Sequence, residues 1–448
     1  MHLSRYLSTY TRNGIVAIFH SLHPEPIYID EKRWQDFLKN QSTNQAEWIT
    51  TLKELGLLLV EKDNDEEVRQ QTIAESSLTT TMSILYLVLT KGCNFCCRQC
   101  FQPERKSLTK PDNSMMTVET AKAAIDQFIR HIDISETLPI EPQVQFYGGE
   151  PFMNWKTLQA AVLYIKAKMA EEALPDDTKM AVVTNGSLLD EAKAVFLAEQ
   201  GVGVGLSIDG PRELNDDYRK IIGKQVSTYD LAQRAANILT DAGIQFSLSI
   251  TITPKMVHDL PAVIRWARNE MKVSDVSFNL IGDSSLERLG EISRDKYAQI
   301  AAEQMVFAHV LARKCSMSED RMERKMRDFA DRVFKYVDCG ALGNQLVVNP
   351  GGEIAFCHAD SEYEVGHVND GDFNMFTIMQ THEWRKALPI YTEACQNCPA
   401  LSICGYGCFH HATSRSLPVT AMDDVHCTHT KKAMEYLIWK LYDKTTAT

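Results

Sequence analysis

Short apolar runs recur through the middle of the chain: Ile84 to Leu89, Val144 to Tyr147, Met180 to Thr184, Val202 to Ile208, Phe246 to Ile252 and Val276 to Ile281. Runs of that length predict strands. Between them the period changes to that of a helix, as where Ala121, Ile125, Phe128, Ile129 and Ile132 share one face. Six such β-α repeats predict an α/β fold, a parallel sheet curled as a partial (β/α)6 TIM-type barrel. In such a barrel functional groups collect at the C-terminal ends of the strands.

The pattern before Leu78 is different. A strand from Ile15 to Ser21, a turn at Pro24 and Pro26 and a short strand from Ile27 to Ile29 are followed by a helix capped by Asp30. Trp34, Phe37 and Leu38 form its apolar face; Trp48, Leu52 and Leu55 form that of a second helix, and Gly56 leads into a strand from Leu57 to Val60. Sheet plus helices predicts a small α+β, winged-helix-like module. The polar stretch from Glu61 to Ser77 reads as a solvated linker or exposed helix. Past Arg332 the periodicity breaks into short segments rich in Cys, Gly and Asn, as in a metal-stapled domain. The expected domains are therefore 1–75, 76–330 and 331–448.

A length of 448 residues suits two or three cores. No apolar run approaches the roughly 18 residues of a membrane span, and Met1 to Arg5 lacks the start of an export signal. A soluble, cytoplasmic protein with no membrane partner is expected. The net charge of −12, from 47 basic and 59 acidic residues, disfavours a nucleic-acid partner. Twelve cysteines in a chain of this kind point to metal ligation rather than disulfides.

Cys93, Cys97 and Cys100 form a C-x3-C-x2-C triplet directly after the first barrel strand. Soft thiolates suit an iron-sulfur cluster or zinc, and Cys96 would allow a four-thiolate zinc knuckle. Three ligands on a four-iron cluster instead leave one iron open to a small molecule. Gly148-Gly149-Glu150-Pro151 follows the second strand, Asn185-Gly186 the third, and Ser207-Ile208-Asp209-Gly210 brackets the end of the fourth. Each taken alone reads as a turn or a satisfied hydroxyl; together they mark one mouth.

A second constellation is C-terminal. Cys339 precedes Gly352-x4-Cys357, then Cys395-x2-Cys398-x5-Cys404-x3-Cys408, and finally Cys427. Cys395, Cys398, Cys404 and Cys408 could by themselves build a zinc ribbon.

The triplet and Gly148 to Pro151 resemble the radical SAM superfamily, and the seven later cysteines resemble its SPASM extension, found in enzymes that modify peptides. The resemblance implies three 4Fe-4S clusters and S-adenosylmethionine (SAM). Cys93, Cys97 and Cys100 would hold the cluster that chelates SAM and cleaves it reductively to a 5'-deoxyadenosyl radical. Cys339, Cys357 and Cys408 would hold a first auxiliary cluster that lacks a fourth cysteine, its remaining iron open or met by Asp338 or water. Cys395, Cys398, Cys404 and Cys427 would close a second. Gly148, Gly149, Glu150, Pro151, Asn185, Ser207 and Leu280 are assigned to SAM. Gln99 departs from the family, which usually has an aromatic residue there, beside the adenine. His358 stands where sulfatase-maturing relatives have an aspartate base, with Asp360 two residues on; both are the catalytic candidates. His20, His23, His258, His410 and His411 read as structural or exposed.

The expected protein is a radical SAM/SPASM maturase of a ribosomally made precursor peptide. It would abstract hydrogen from one residue to form a thioether or carbon-carbon cross-link, with the leader bound by the N-terminal module and flavodoxin or ferredoxin as electron donor. The alternatives are a peptide epimerase or a sulfatase-maturase-like enzyme and, in another class, a noncatalytic zinc-stapled peptide-binding protein.

Overall fold

A computed structural model describes residues 2–40, 46–59, 64–75, 82–102, 114–132, 141–342, 344–381, 383–413, 418 and 421–446. The N-terminal strands are β1 (His2–Leu3), β2 (Leu7–Arg12), β3 (Ile15–His20), β4 (His23–Asp30) and β5 (Leu58–Leu59). β2, β3 and β4 form an antiparallel sheet, and β1 pairs with β5. The expected turn at Pro24 and Pro26 is not one. The chain reverses at Ser21 and Leu22, and both prolines lie inside β4, where an edge strand needs no inward N–H from them. Asp30 does cap the helix Glu31–Asn40, accepting from Lys32 N at 2.9 Å.

Both faces of this sheet are covered. Val16 and Ile18 pack with Trp34, Phe37 and Leu52 on one side. Ala17 and Phe19 meet Met434, Leu437, Ile438 and Trp439 of the C-terminal helix Asp424–Thr446 on the other. Tyr28 Oη donates to Ile438 O at 2.7 Å and Arg12 pairs with Asp443, so the module is clamped to the far end of the chain. Of the polar stretch 61–77, Asn64–Glu75 is a helix, tied to the module where Asp65 accepts from Ser4 Oγ and Arg5 N. Val60 and the expected boundary around Leu78 lie outside the described residues.

The six barrel strands are all present, each parallel to the next: β6 (Ile84–Thr90), β7 (Gln143–Gly148), β8 (Lys179–Thr184), β9 (Val202–Ser207), β10 (Phe246–Ile252) and β11 (Asp275–Leu280). Alternate residues such as Leu85, Leu87, Val144, Phe146, Val182, Leu206, Ile250 and Phe278 are buried in the main hydrophobic core. The period of two turns their neighbours to the opposite face of the sheet. That set is half-buried and small or polar on one side (Gly205, Ser207, Ser249, Asn279) and aromatic on the other (Tyr86, Tyr147).

The sheet continues past the barrel. β12 (Ser318–Glu319) extends it beyond β11, and β13 (Gln345–Val348) lies parallel to β6, followed by antiparallel β14 (Glu353–Cys357) and β15 (Asp360–His367). The ten strands run in the order β12-β11-β10-β9-β8-β7-β6-β13-β14-β15. The barrel is thus open, and the edge at β6 is taken by strands of the cysteine-rich segment. No helix among the described residues is long and apolar enough to cross a membrane.

Candidate active site

The triplet lies in a loop pinned from several directions. Gly92 N donates to Thr90 Oγ1 at 3.0 Å, Cys96 N to Lys220 O at 2.8 Å and Arg98 N to Tyr218 O at 2.8 Å. Arg288 and Ser285 hold Cys100 O at 2.8 and 3.2 Å. Cys93, Cys97 and Cys100 are half-buried, whereas Cys96 is exposed, as a bystander would be. Burial pushes the Cys97 thiol up to about 12, opposed by the Arg219 guanidinium. A bound cation would reverse that shift, because a coordinated thiol is deprotonated outright.

Arg219 was not among the expected site residues. Its guanidinium clasps Asp209 in a two-bond ion pair, 2.8 and 2.9 Å, and the Asp209 side chain is fully buried. Asp209 also accepts from Thr251 N at 2.8 Å and from the Gln99 amide. Gln99, the departure from the family pattern, therefore ties the cysteine loop to β9 and β10. Asp209 sits in the Ser207–Gly210 motif; nothing in the sequence marks Arg219 as its partner.

At the end of β7, Gly148 has φ +140°, and an added Cβ would lie 2.4 Å from Thr90 O. Only glycine lets β7 come this close to β6, so that Gly149 N bonds Thr90 O at 2.8 Å and Glu150 N bonds Gly92 O at 3.0 Å. The Glu150 carboxylate is turned inward, accepting from Thr184 Oγ1 (2.7 Å), Asn185 N (2.8 Å) and Phe152 N (3.2 Å). Burial raises its carboxyl to about 7 against those donors. Glu150 braces the ends of β7 and β8, and Pro151 opens the next turn of helix. Asn185 reaches back to the triplet, donating to Asn94 Oδ1 at 3.0 Å. Ser207 and Leu280 end β9 and β11, both half-buried, with Ser207 opposite Ser249 in register.

Beside the mouth, His358 stacks on Tyr86 (ring centroids 4.9 Å), tilts against Tyr147 (4.5 Å) and meets Phe101 edge-on (5.9 Å). Phe101 follows Cys100 and His358 follows Cys357, so this aromatic wall joins the triplet loop to the C-terminal cysteines. The backbone of Asp360 pairs with Cys357; its side chain lies outside the described residues. Burial lifts the Tyr86 hydroxyl to about 12, with Cys339 and Cys357 adding to the shift. Cys339 is likewise raised to about 12 by burial, with Cys408 next in effect. Cys339, Cys357 and Cys408 thus occupy one neighbourhood.

His411, read from sequence as structural or exposed, sits at its border, Nδ1 3.0 Å from Asp423 Oδ2. Burial would raise the Cys408 thiol, but His411 outweighs it and lowers it. The position three residues after Cys408 was the available signal. Asp338 faces two cations, Lys325 (3.7 Å) and Arg324 (3.8 Å), with the His426 ring 3.9 Å away. Against the pull of burial they hold its carboxyl below the usual carboxylate range.

Cys395, Cys398, Cys404 and Cys427 line one small cavity together with Pro389, Leu401 and Met422. Cys408 is not part of it, unlike in a zinc ribbon of Cys395, Cys398, Cys404 and Cys408. Burial raises the Cys395 and Cys404 thiols to about 11 and 12. Among the described residues no three His, Cys, Asp or Glu side chains converge on the point a single ion would fill. Four soft thiols around one cavity match the donor set of a four-iron cluster.

The profile of the radical SAM superfamily matches residues 87–267, β6 through the helix after β10. Residues 87–267 thus carry a radical SAM domain. The radical SAM cyclopropyl synthase TigE of Paramaledivibacter caminithermalis is 22% identical, over 97% of this chain and 95% of its own length. The cysteine-type anaerobic sulfatase-maturating enzyme of Clostridium perfringens is 23% identical, over 73% of this chain and 88% of its own. Among solved structures, anSMEcpe with bound SAM superposes with a TM-score of 0.64 at 18% identity, covering 81% of this chain and 99% of that one. Streptococcus suis SuiB bound to its precursor peptide SuiA gives 0.54 at 13%, covering 94% and 99%. The chain accordingly has the expected α/β fold with a large, mostly parallel sheet.

Proposed function

We propose that this radical SAM enzyme matures a ribosomally made precursor peptide by closing a carbon-carbon bond. The observation that carries the reading is the meeting of the triplet loop, Gly148, Asn185 and the His358 aromatic wall at one barrel mouth. Correspondence with a cyclopropyl synthase over nearly the whole length of both chains favours a carbon-carbon bond over a thioether.

Cys93, Cys97 and Cys100 would hold a 4Fe-4S cluster which, with SAM bound, supplies a 5'-deoxyadenosyl radical. Main-chain carbonyls at Gly148 and Gly149 would accept from the SAM ammonium, and Asn185, Ser207 and Leu280 would hold the rest of the molecule. Arg219 places a fixed positive charge beside Cys97, which offsets the negative charge gathered there. Glu150, its acceptors used within the protein, acts by bracing the strand ends. The hydroxyl and amide groups of Ser249 and Asn279 suit a peptide backbone, and the aromatic wall excludes water beside the attacked side chain. His358 is the candidate to receive the proton released as the new bond forms, with Asp360 near it in sequence. Cys339, Cys357 and Cys408, and Cys395, Cys398, Cys404 and Cys427, are the ligand sets for two auxiliary clusters, which would accept the electron left after the radical takes one hydrogen atom and His358 the proton.

The winged-helix-like module is the leader site. With both sheet faces packed, its edges are what remains, and an extended peptide can add to one as a strand. Pro24 and Pro26 withhold two N–H donors from β4, which favours β2. The second reading, oxidation of a protein residue as in sulfatase maturation, draws on the similarity to such enzymes; His358 in place of aspartate counts against it.

Anaerobic reconstitution tests the reading. It should give roughly twelve irons, as three four-iron clusters require, and 5'-deoxyadenosine on reduction. Incubation with short reading frames encoded nearby should give a product two hydrogens lighter. A colourless zinc protein, or cleavage of SAM with only an epimerised peptide, would refute it.

A further inference from the structure

Lys325 lies on the helix Asp320–Ala330 and is 1% exposed. Its Nζ donates to Ile403 O at 2.9 Å and Cys404 O at 3.4 Å, and Asp338 Oδ2 is 3.7 Å away. One buried cation therefore touches the backbone of Cys404, in the second cysteine set, and the carboxylate of the residue preceding Cys339, in the first.

Stability does not explain this lysine. Burying an ammonium is costly, and a well-packed apolar side chain in its place is often neutral or stabilising. Asp338 does not require it either, since the Arg324 guanidinium also faces that carboxylate at 3.8 Å. A charge shut away from water is weakly screened and acts over several ångströms. Reducing a cluster adds negative charge, and a fixed cation nearby stabilises that state relative to the oxidised one.

We propose that Lys325 sets how readily the two auxiliary sites take up an electron, acting on the Cys395, Cys398, Cys404 and Cys427 site more strongly than on the Cys339, Cys357 and Cys408 site. It touches no substrate and is a positioning residue. The proposal rests on the reading of these cysteines as cluster ligands. Asp338 acts with the opposite sign and mainly on the first site.

The test is a redox titration, followed by electron paramagnetic resonance, of the full-length reconstituted enzyme. Cys404→Ala and Cys339→Ala variants assign the two auxiliary signals. Lys325→Gln should weaken electron uptake at the second site about tenfold, a fall of about 59 mV for one electron, with a smaller fall at the first. Asp338→Asn should raise the first, the double variant should return both towards wild type, and Lys325→Arg should preserve both potentials. If Lys325→Gln loses its irons, the double variant compared with Asp338→Asn measures the same charge. Unmoved or raised potentials in a fully loaded variant would overturn the proposal while leaving the ligand reading intact. Iron content unaffected by Cys404→Ala and Cys339→Ala would overturn the ligand reading, and the proposal with it.

Discussion

Replacing Gly148 by alanine isolates the contact that brings β7 against the cysteine loop. Gly148 holds φ +140°, and an added Cβ would stand 2.4 Å from Thr90 O and 3.2 Å from Thr90 N, atoms of a central strand that have nowhere to move. Holding an L-residue in that backbone region costs on the order of 1–3 kcal/mol. Overpacking against main chain adds about 1–3 kcal/mol more. Gly201 supplies the control: it also has positive φ (+68°), at a helix C-terminus, yet a Cβ there would meet nothing within 4 Å. Gly148→Ala should therefore lose roughly 2–6 kcal/mol, and Gly201→Ala only about 1 kcal/mol. Urea unfolding of both variants beside wild type measures the gap, and SAM binding by equilibrium dialysis should fall in Gly148→Ala alone. Equal losses in the two variants would show that β7 does not press on Thr90 and that Gly148 is an ordinary turn residue.

Cys97→Ala should abolish SAM cleavage while leaving peptide binding by the N-terminal module unchanged; joint loss of both would contradict the separation of those tasks. Glu150 has its carboxyl raised by burial from 4.5 to about 7, so its contribution to stability is fully present below pH 4.5 and is lost as pH rises through 7. The loss is about 3 kcal/mol at most, and denaturation at pH 5.5 and 8.5 should show Glu150→Gln with the flatter profile. Arg219→Met strands the buried Asp209 carboxylate and should cost about 3–5 kcal/mol, much of it recovered by adding Asp209→Asn; a double-mutant cycle without coupling would refute the pairing.

The sequence by itself determined the six-strand repeat and the cysteine grouping, because a period of two and a loop of eight residues, Cys93 to Cys100, are local properties of the chain. Spacing alone left Cys408 and Cys427 as alternatives beside Cys395, Cys398 and Cys404; the SPASM resemblance implied Cys427, and the fold gathers that set around one cavity. Local propensity misread Pro24 and Pro26 as a turn, since only their place on an edge strand lets prolines stay in a sheet. The tertiary structure alone decided that β13 docks beside β6, that Arg219 answers Asp209, that Asp423 holds His411 beside Cys408, and that Lys325 lies between Cys404 O and the Asp338 carboxylate. A buried charge must find its partner in space, and the partners of these groups come from segments with no common period.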